Sequence, residues 1–387
     1  MSAPAGAPRW LGLDALRGLA MLLMILVNNP GEWGAGFQYA PLRHAAWHGC
    51  TPTDLVFPTF LFCVGVAIVP ALGKKVAAGL PRGTLLAGIW RRVLWLVLLG
   101  LLLSAFPLVT FAAGKAWYEP IAGMRFPGVL QRIGVCYGLA ATLFVLASER
   151  TLLRVLWGSL VGGAVLACWV PVPGLGWPDL DEPMRTLHGF VDRAVFGSHV
   201  WVKDQYDPEG LLSTIPALGT ALLGVQCGFV LQRTERSDER VAGLLRLGCL
   251  WMLVGALWGW FLPINKSLWT SSYALWSGGI AAAGLGLCVW AFEQRGFGRF
   301  ARPLQIYGQN ALLVFVGSGL LGRLVGSSWR LDVDGHSVAV KTWFFRECLL
   351  GPVGDPHLAS LLFGGLWVLL WFLVLAWLDR RRIVWRV

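Results

Sequence analysis

The chain has 387 residues, 56% hydrophobic and only 14% charged, with a net charge of +11 and a mean hydropathy of +0.63. Soluble globular proteins carry about 25% charged residues, so this composition offers too little polar surface for a water-soluble domain. Apolar runs separated by short charged loops instead predict an all-α, polytopic transmembrane helix bundle.

In chain order, ten spans are expected over residues 11–29, 54–72, 88–111, 128–147, 151–170, 210–231, 242–262, 270–291, 303–325 and 358–378, with 337–350 as an additional interfacial or half-inserted helix. They are read as one integral-membrane domain over 1–387, with long outer loops at 171–209 and 326–357. The first segment is interrupted by Asn28-Asn29 and lacks a small-residue cleavage site, so it is expected to be a retained helix and not a signal peptide. Pro107 predicts a kink or early end in the third span, because proline removes a backbone donor. The 22 Trp and 49 Gly suit interfacial aromatic belts and close helix packing. Small-residue pairs such as Gly158/Gly162, Gly255/Gly259 and Gly322/Gly326 could serve that packing, but with glycine this common they locate no interface. Cys50 and Cys348 fall in loops, the other six cysteines lie in apolar segments, and no disulfide framework or C-x-x-C is present.

Lysine and arginine set the orientation. They gather around the N-terminus (Arg9, Arg17), in Lys74, Lys75, Arg82, Arg91 and Arg92, in Arg233, Arg236, Arg240 and Arg246, and in the tail Arg380, Arg381 and Arg382. That pattern places both termini in the cytoplasm and accounts for the positive charge without a nucleic-acid partner. All six histidines then face outward, on a mildly acidic surface.

The polar loop Leu42–Pro58, with His44 and His48, is the most chemically suggestive segment. An imidazole can take a proton from an attacking amine, or itself attack a thioester; the plainer reading of His44 is an interfacial histidine bonded to water or backbone. His48, four residues on, would share its face in a helix, but no H-E-x-x-H or third ligand accompanies the pair, so no metal is expected. Asn28 could position a carbonyl or oxyanion, or simply end its helix. Asp54 could orient an imidazole, or stabilise a helix N-terminus. Asp14 and Arg17 are expected to pair. Gln131 and Arg132 sit near a helix start, where a buried guanidinium calls for an anionic partner. Asp207 could cap a helix or bind an amine. Asn265-Lys266 occupy a short outer loop, and Gln309-Asn310 inside the ninth span must face protein or a cavity.

Several blocks resemble the heparan-α-glucosaminide N-acetyltransferase family: Leu13-Asp14-Ala15-Leu16-Arg17-Gly18; Ile25-Leu26-Val27-Asn28-Asn29; His44-Ala45-Ala46-Trp47-His48-Gly49 running into Thr53-Asp54-Leu55-Val56-Phe57-Pro58; Pro127 to Val135; Tyr206 to Ile215; and Asn265-Lys266-Ser267-Leu268-Trp269. They recur in order over most of the chain. The resemblance implies transfer of acetyl from cytosolic acetyl-CoA to the amine of a glucosamine-type sugar across the membrane. It puts the catalytic histidine at His44 and the asparagine after the first span at Asn28. The loop from Asn28 to His44 is longer than in the family.

Together these observations predict a multi-pass acetyltransferase of a bacterial inner membrane, with a homodimer as one assembly open to it. The expected catalytic residues are His44, Asn28 and Asp54. Asp207, Asn265 and Lys266 are expected to meet the acceptor, and Arg132, Gln131, Arg17 and Asn310 the acetyl-CoA. The pantetheine arm cannot cross a hydrocarbon core of about 30 Å. His44 is therefore expected to be recessed, with a channel near Asn28, Arg132 and Asn310. The rival readings are an amino-sugar or oligosaccharide transporter, for which the expected inverted repeat is not evident, and an O-acetyltransferase of cell-wall glycans.

Overall fold

A computed structural model describes residues 10–109 and 116–385. The helices that carry the bundle are α1 Leu11–Val27, α2 Val56–Ala77, α3 Arg82–Ala105, α4 Val129–Leu146 and α5 Glu149–Cys168, then, after an outer helix α6 Leu187–Phe196, α7 Leu211–Arg233, α8 Ser237–Trp258 and α9 Ser271–Val289. They are followed by α10 Gly298–Gln309, α11 Ala311–Arg323, a hairpin of β1 Arg330–Val333 and β2 His336–Ala339, α12 Val340–Trp343 continuing as a wider helix to Leu350, and α13 Pro356–Arg380. Among the described residues nine helices are long and apolar enough to cross a membrane. α1 adds an apolar helix of 17 residues, about 25 Å long at 1.5 Å per residue.

Two expectations about the spans are corrected. The ninth span is not continuous from 303 to 325: the helix breaks at Asn310, and α10 and α11 meet there. The helix expected over 337–350 begins later, at Val340, because β1 and β2 pair antiparallel from Arg330↔Ala339 to Val333↔His336 and take residues 337–339 into a hairpin. The third span does end early: α3 stops at Ala105, just before Phe106-Pro107, as the steric demand of proline on the preceding residue requires. Residues 110 and 111 of that expected span lie outside the described residues.

The closest packing comes from glycines outside the suspected pairs. A Cβ on Gly65 would sit 1.9 Å from the Ala221 carbonyl, and one on Gly224 2.1 Å from that of Phe62, so α2 and α7 touch backbone to backbone. Gly18 of α1 and Gly308 of α10 make a similar crossing, against Leu304 and Asp14 carbonyls. Of the pairs named from sequence, Gly158 and Gly162 meet nothing within 4 Å, whereas Gly255 packs on Ser272 and Trp276. α1 joins two apolar cores, one through Leu13 and Leu16 with α2, α7 and α9, the other through Met21, Met24 and Ile25 with α11, α13 and Phe345.

The up-and-down order sends the α1–α2, α8–α9 and α6–α7 connections to one end of the bundle, the His44 end. The start of α10 and the tail after α13 lie at the other. That sorting is what assembles the site from distant sequence.

Candidate active site

Thr51-Pro52-Thr53-Asp54 starts a helix in a familiar way. Thr51 is the N-cap, Pro52 the first helical residue, and Asp54 reaches back to the cap. The Asp54 Oδ2 accepts from the Thr51 amide and the Ala45 amide, both at 3.0 Å. This leaves Oδ1, which faces the His44 Nδ1 at 2.7 Å. The two readings of Asp54, helix start and imidazole partner, therefore hold together, one on each carboxylate oxygen. Asp54 is 1% exposed, and the Tyr273 hydroxyl donates to its carbonyl at 2.6 Å. Thr51 Oγ1 on the Arg43 carbonyl and Thr53 Oγ1 on that of Pro41 pin the strand of loop that carries His44.

From the α8–α9 connection, Lys266 brings its Nζ to 3.0 Å from the His44 Nδ1 and 3.4 Å from the Asp54 Oδ1. Asn265 donates its Nδ2 to the His48 Nδ1 at 3.2 Å and accepts the Leu268 amide at 2.9 Å. The far nitrogen of His48 lies 2.9 Å from Asp181, and the Trp47 indole donates to the Leu180 carbonyl. Residues 43–50 form a loop and no helix, so His44 and His48 do not share a helical face. Each turns to its own carboxylate. Burial, with Asp54 next, pushes the Cys50 thiol up to about 12, so the neighbouring cysteine is no thiolate nucleophile.

The His44 side chain is 46% exposed. This corrects the expectation that it is recessed. Asn28 lies at the C-terminal end of α1, exposed, with no side-chain hydrogen bond among the described residues. Its neighbour Asn29 is buried and donates to the Ile25 carbonyl.

A second polar layer braces the site. Arg132, 2% exposed, donates to the Gly210 carbonyl at 3.1 Å and to Ser213, and its guanidinium lies 5.0 Å from the Trp269 ring. Its Nε and Nη1 have no acceptor among the described residues. Trp269 holds a left-handed backbone, φ 48°, a strain of about 1–3 kcal/mol held by packing on Phe57 and Tyr273 and a bond to Thr220. Gln131 is turned to the Phe126 carbonyl and against Gly100 and Gly128.

Asp207 is fully engaged. It takes Arg125 through two nitrogens and also the Trp201 and Glu209 amides, which fills a carboxylate's acceptor sites. Arg125 also pairs with Glu209. Burial alone would lower the Arg125 guanidinium, but Glu209 and Asp207 outweigh it and hold it above its usual value. Sequence reasoning passed over Arg125; its signal was an arginine directly before the Phe126-Pro127-Gly128 turn, opposite the acidic pair Asp207/Glu209. Asp192, also passed over, accepts the Asp207 and Leu211 amides, and burial raises its carboxyl to about 6. The buried His188 is driven down to about 4 by burial and then by Arg132.

At the opposite end, Arg17 donates to the Gly308 carbonyl and pairs with Asp14, as expected. Asn310 accepts the Trp385 amide at 2.9 Å. Beside them a cavity of about 500 Å³ is lined by Arg302, Gln309, Asp379, Arg380, Arg382 and Val384. Gln309 therefore faces a cavity and Asn310 faces protein, as polar groups at a helix break must. Of the residues expected to form one channel, Asn28 and Arg132 lie at the His44 end and Asn310 at this one.

Comparison with known proteins gives the family. The chain is 28% identical to heparan-alpha-glucosaminide N-acetyltransferase of Homo sapiens over 98% of its own length and 60% of that protein's. It is 28% identical to the Mus musculus protein of the same name over 86% of its length and 57% of that protein's, so it spans somewhat under two thirds of these relatives. The family model described as heparan-alpha-glucosaminide N-acetyltransferase, catalytic, matches residues 9–255, from α1 through α8 and across the His44, Arg132 and Asp207 blocks, and the chain belongs to that family.

Proposed function

We propose that this protein is a multi-pass acetyltransferase of a bacterial inner membrane. It takes acetyl from cytosolic acetyl-CoA and transfers it to the amine of a glucosamine-type sugar or glycan on the periplasmic side. The observation that carries the proposal is the 2.7 Å contact of the His44 Nδ1 with Asp54. Two lone pairs do not approach that closely without a proton between them, so Nδ1 donates to Asp54, and in the neutral ring the lone pair is then on Nε2.

Two routes use that lone pair. In direct transfer, the acceptor ammonium gives one proton to solvent, and Nε2 takes a second as the amine attacks the acetyl carbonyl. The C–S bond breaks, and the proton passes from Nε2 to the departing thiolate. In the covalent route, Nε2 attacks the carbonyl, the C–S bond breaks and thiolate leaves; the neutral amine then displaces the ring nitrogen, and its proton passes to the freed Nε2 and on to the thiolate. Asn28, whose amide has no protein partner among the described residues, would hold the carbonyl oxygen as negative charge develops. Asp207 and Asn265, which the sequence assigned to the acceptor, frame the pocket instead. The acceptor ammonium finds Asp181, whose side chain is 85% exposed on the solvent side of His48. The basic cavity at the opposite end fits the phosphates of CoA through Arg302, Arg380 and Arg382, with Arg17 and Asn310 packed behind it; since the pantetheine arm is shorter than the core, acetyl reaches His44 from this site only if the loaded bundle draws the two ends together.

The test is purified protein in vesicles with radiolabelled acetyl-CoA and a panel of amino sugars. Label transfer that falls by about 10²–10⁴-fold in His44→Ala supports the proposal. Saturable sugar uptake without acetyl transfer would replace it with a transporter.

A further inference from the structure

Three groups converge on one imidazole nitrogen, and their hydrogen-bond arithmetic has a consequence for His44. Asp54 Oδ2 already holds two backbone amides, so only Oδ1 is open, and both the His44 Nδ1 at 2.7 Å and the Lys266 Nζ at 3.4 Å face it. Lys266 also lies 3.0 Å from Nδ1 itself. A neutral imidazole nitrogen either donates or accepts. At 2.7 Å from a carboxylate oxygen Nδ1 must donate, so it offers Lys266 no lone pair. Lys266 therefore stands against the ring as a positive charge and makes no ordinary hydrogen bond to it.

We infer that Lys266 is a positioning residue acting through His44: its ammonium opposes a second proton or an acetyl cation on the ring and keeps the Nε2 lone pair available. The inference rests on the acetyl-transfer reading for its consequence, but not for its geometry. Asp54 alone would favour the positively charged ring and let it accumulate as a stalled imidazolium. A like charge 3.0 Å from Nδ1 offsets that pull. In both routes the positive ring is the species that must pass on its proton or acetyl, so Lys266 hastens the second half of the reaction. Lys266 is held for this role. Its backbone is part of the Asn265–Thr270 turn, where Asn265 accepts the Leu268 amide and the Trp269 amide donates to the Lys266 carbonyl, and its side chain is only 21% exposed. The other charged or titratable groups around the pocket are His48 and Cys50 on the same loop, Asp181 beyond His48, and Glu209 ahead of α7, whose charge reaches Lys266. They are unchanged between wild type and a Lys266 variant.

The experiment compares wild type, Lys266→Met and Lys266→Arg in lipid nanodiscs, labelled with ¹⁵N-histidine. The His44 nitrogens are identified by their loss in His44→Gln. In Lys266→Met the acid limb of kcat/KM is expected to move to higher pH, and the His44 nitrogen spectrum to change with it. Lys266→Arg keeps the charge and follows wild type in both, which separates electrostatics from misfolding. If Lys266→Met leaves the His44 nitrogen spectrum and the acid limb in place and raises only KM for the amine, Lys266 touches the acceptor and the inference is overturned. A wild type without acetyl transfer would sink the functional proposal alone, since the nitrogen spectra would still decide the role of Lys266.

Discussion

At the His44 end, His44, Asp54 and Lys266 lie within 3.4 Å of one another, and Asp54 is almost fully buried. At the opposite end, Arg302, Arg380 and Arg382 surround an open cavity of about 500 Å³, with Asp379 as the one acidic lining residue. The first cluster is charge-balanced and orients its members against each other, which is how a reactive group is fixed before substrate arrives. The second carries an excess of positive charge and is completed by an anion. Chemistry at one end and anchoring at the other is the division of labour that a donor entering from one face and an acceptor from the other would need.

Variants at the two ends should therefore fail differently. Asp54→Asn keeps an oxygen for the helix start but allows the wrong ring tautomer, so kcat should fall by about 10²–10⁴-fold with KM for acetyl-CoA little changed; a pure KM effect would show that Asp54 only shapes the loop. Arg125→Met leaves Asp207 and Glu209 without their shared partner. Breaking a buried pair in this way costs about 3–5 kcal/mol, seen as a large drop in the thermal midpoint, and a stability equal to wild type would show that the bracing layer is dispensable. At the other end, Arg382→Gln with Arg302→Gln should raise KM for acetyl-CoA by about tenfold, with an effect that shrinks in high salt and with kcat held. Loss of kcat instead would move the cavity out of an anchoring role.

The smallest effect is one of pH on stability. His188 is neutral in the fold down to about 4 and unfolds to an ordinary histidine near 6.5, so its contribution is full above 6.5 and is lost as pH falls from there to 4. Asp192 is raised from 3.8 to about 6, so its contribution is full below 3.8 and is lost as pH rises toward 6. The two oppose each other. Asp192→Asn should expose the histidine, giving a midpoint that drops more steeply than wild type between pH 6.5 and 4; parallel curves would show that neither group governs stability there.

The sequence made the spans legible because membrane crossing demands long apolar runs, and those are local. It made the start of α2 legible because Thr51-Pro52-Thr53-Asp54 is local capping chemistry. The break at Asn310 was not legible, since it depends on α10 pressing Gly308 against the Asp14 carbonyl of α1. Nor was the link from Lys266 to His44, which lie 222 positions apart. The sequence offered Lys266 as an acceptor contact, and the structure sets its ammonium 3.0 Å from the His44 Nδ1. Asp207 carried a plausible motif, but only the structure reveals that Arg125, 82 positions away, already occupies it. Periodicity records which face a residue takes, and it carries no record of which loop arrives opposite.

The central claim is transfer across the bundle from the basic end to the His44 end. The direct measurement uses sealed vesicles of known orientation, with radiolabelled acetyl-CoA confined to the side of Arg302 and Arg382 and glucosamine confined to the side of His44. The account predicts labelled N-acetylglucosamine on the His44 side, abolished in His44→Ala. Label that appears only when donor and acceptor share one side would contradict it.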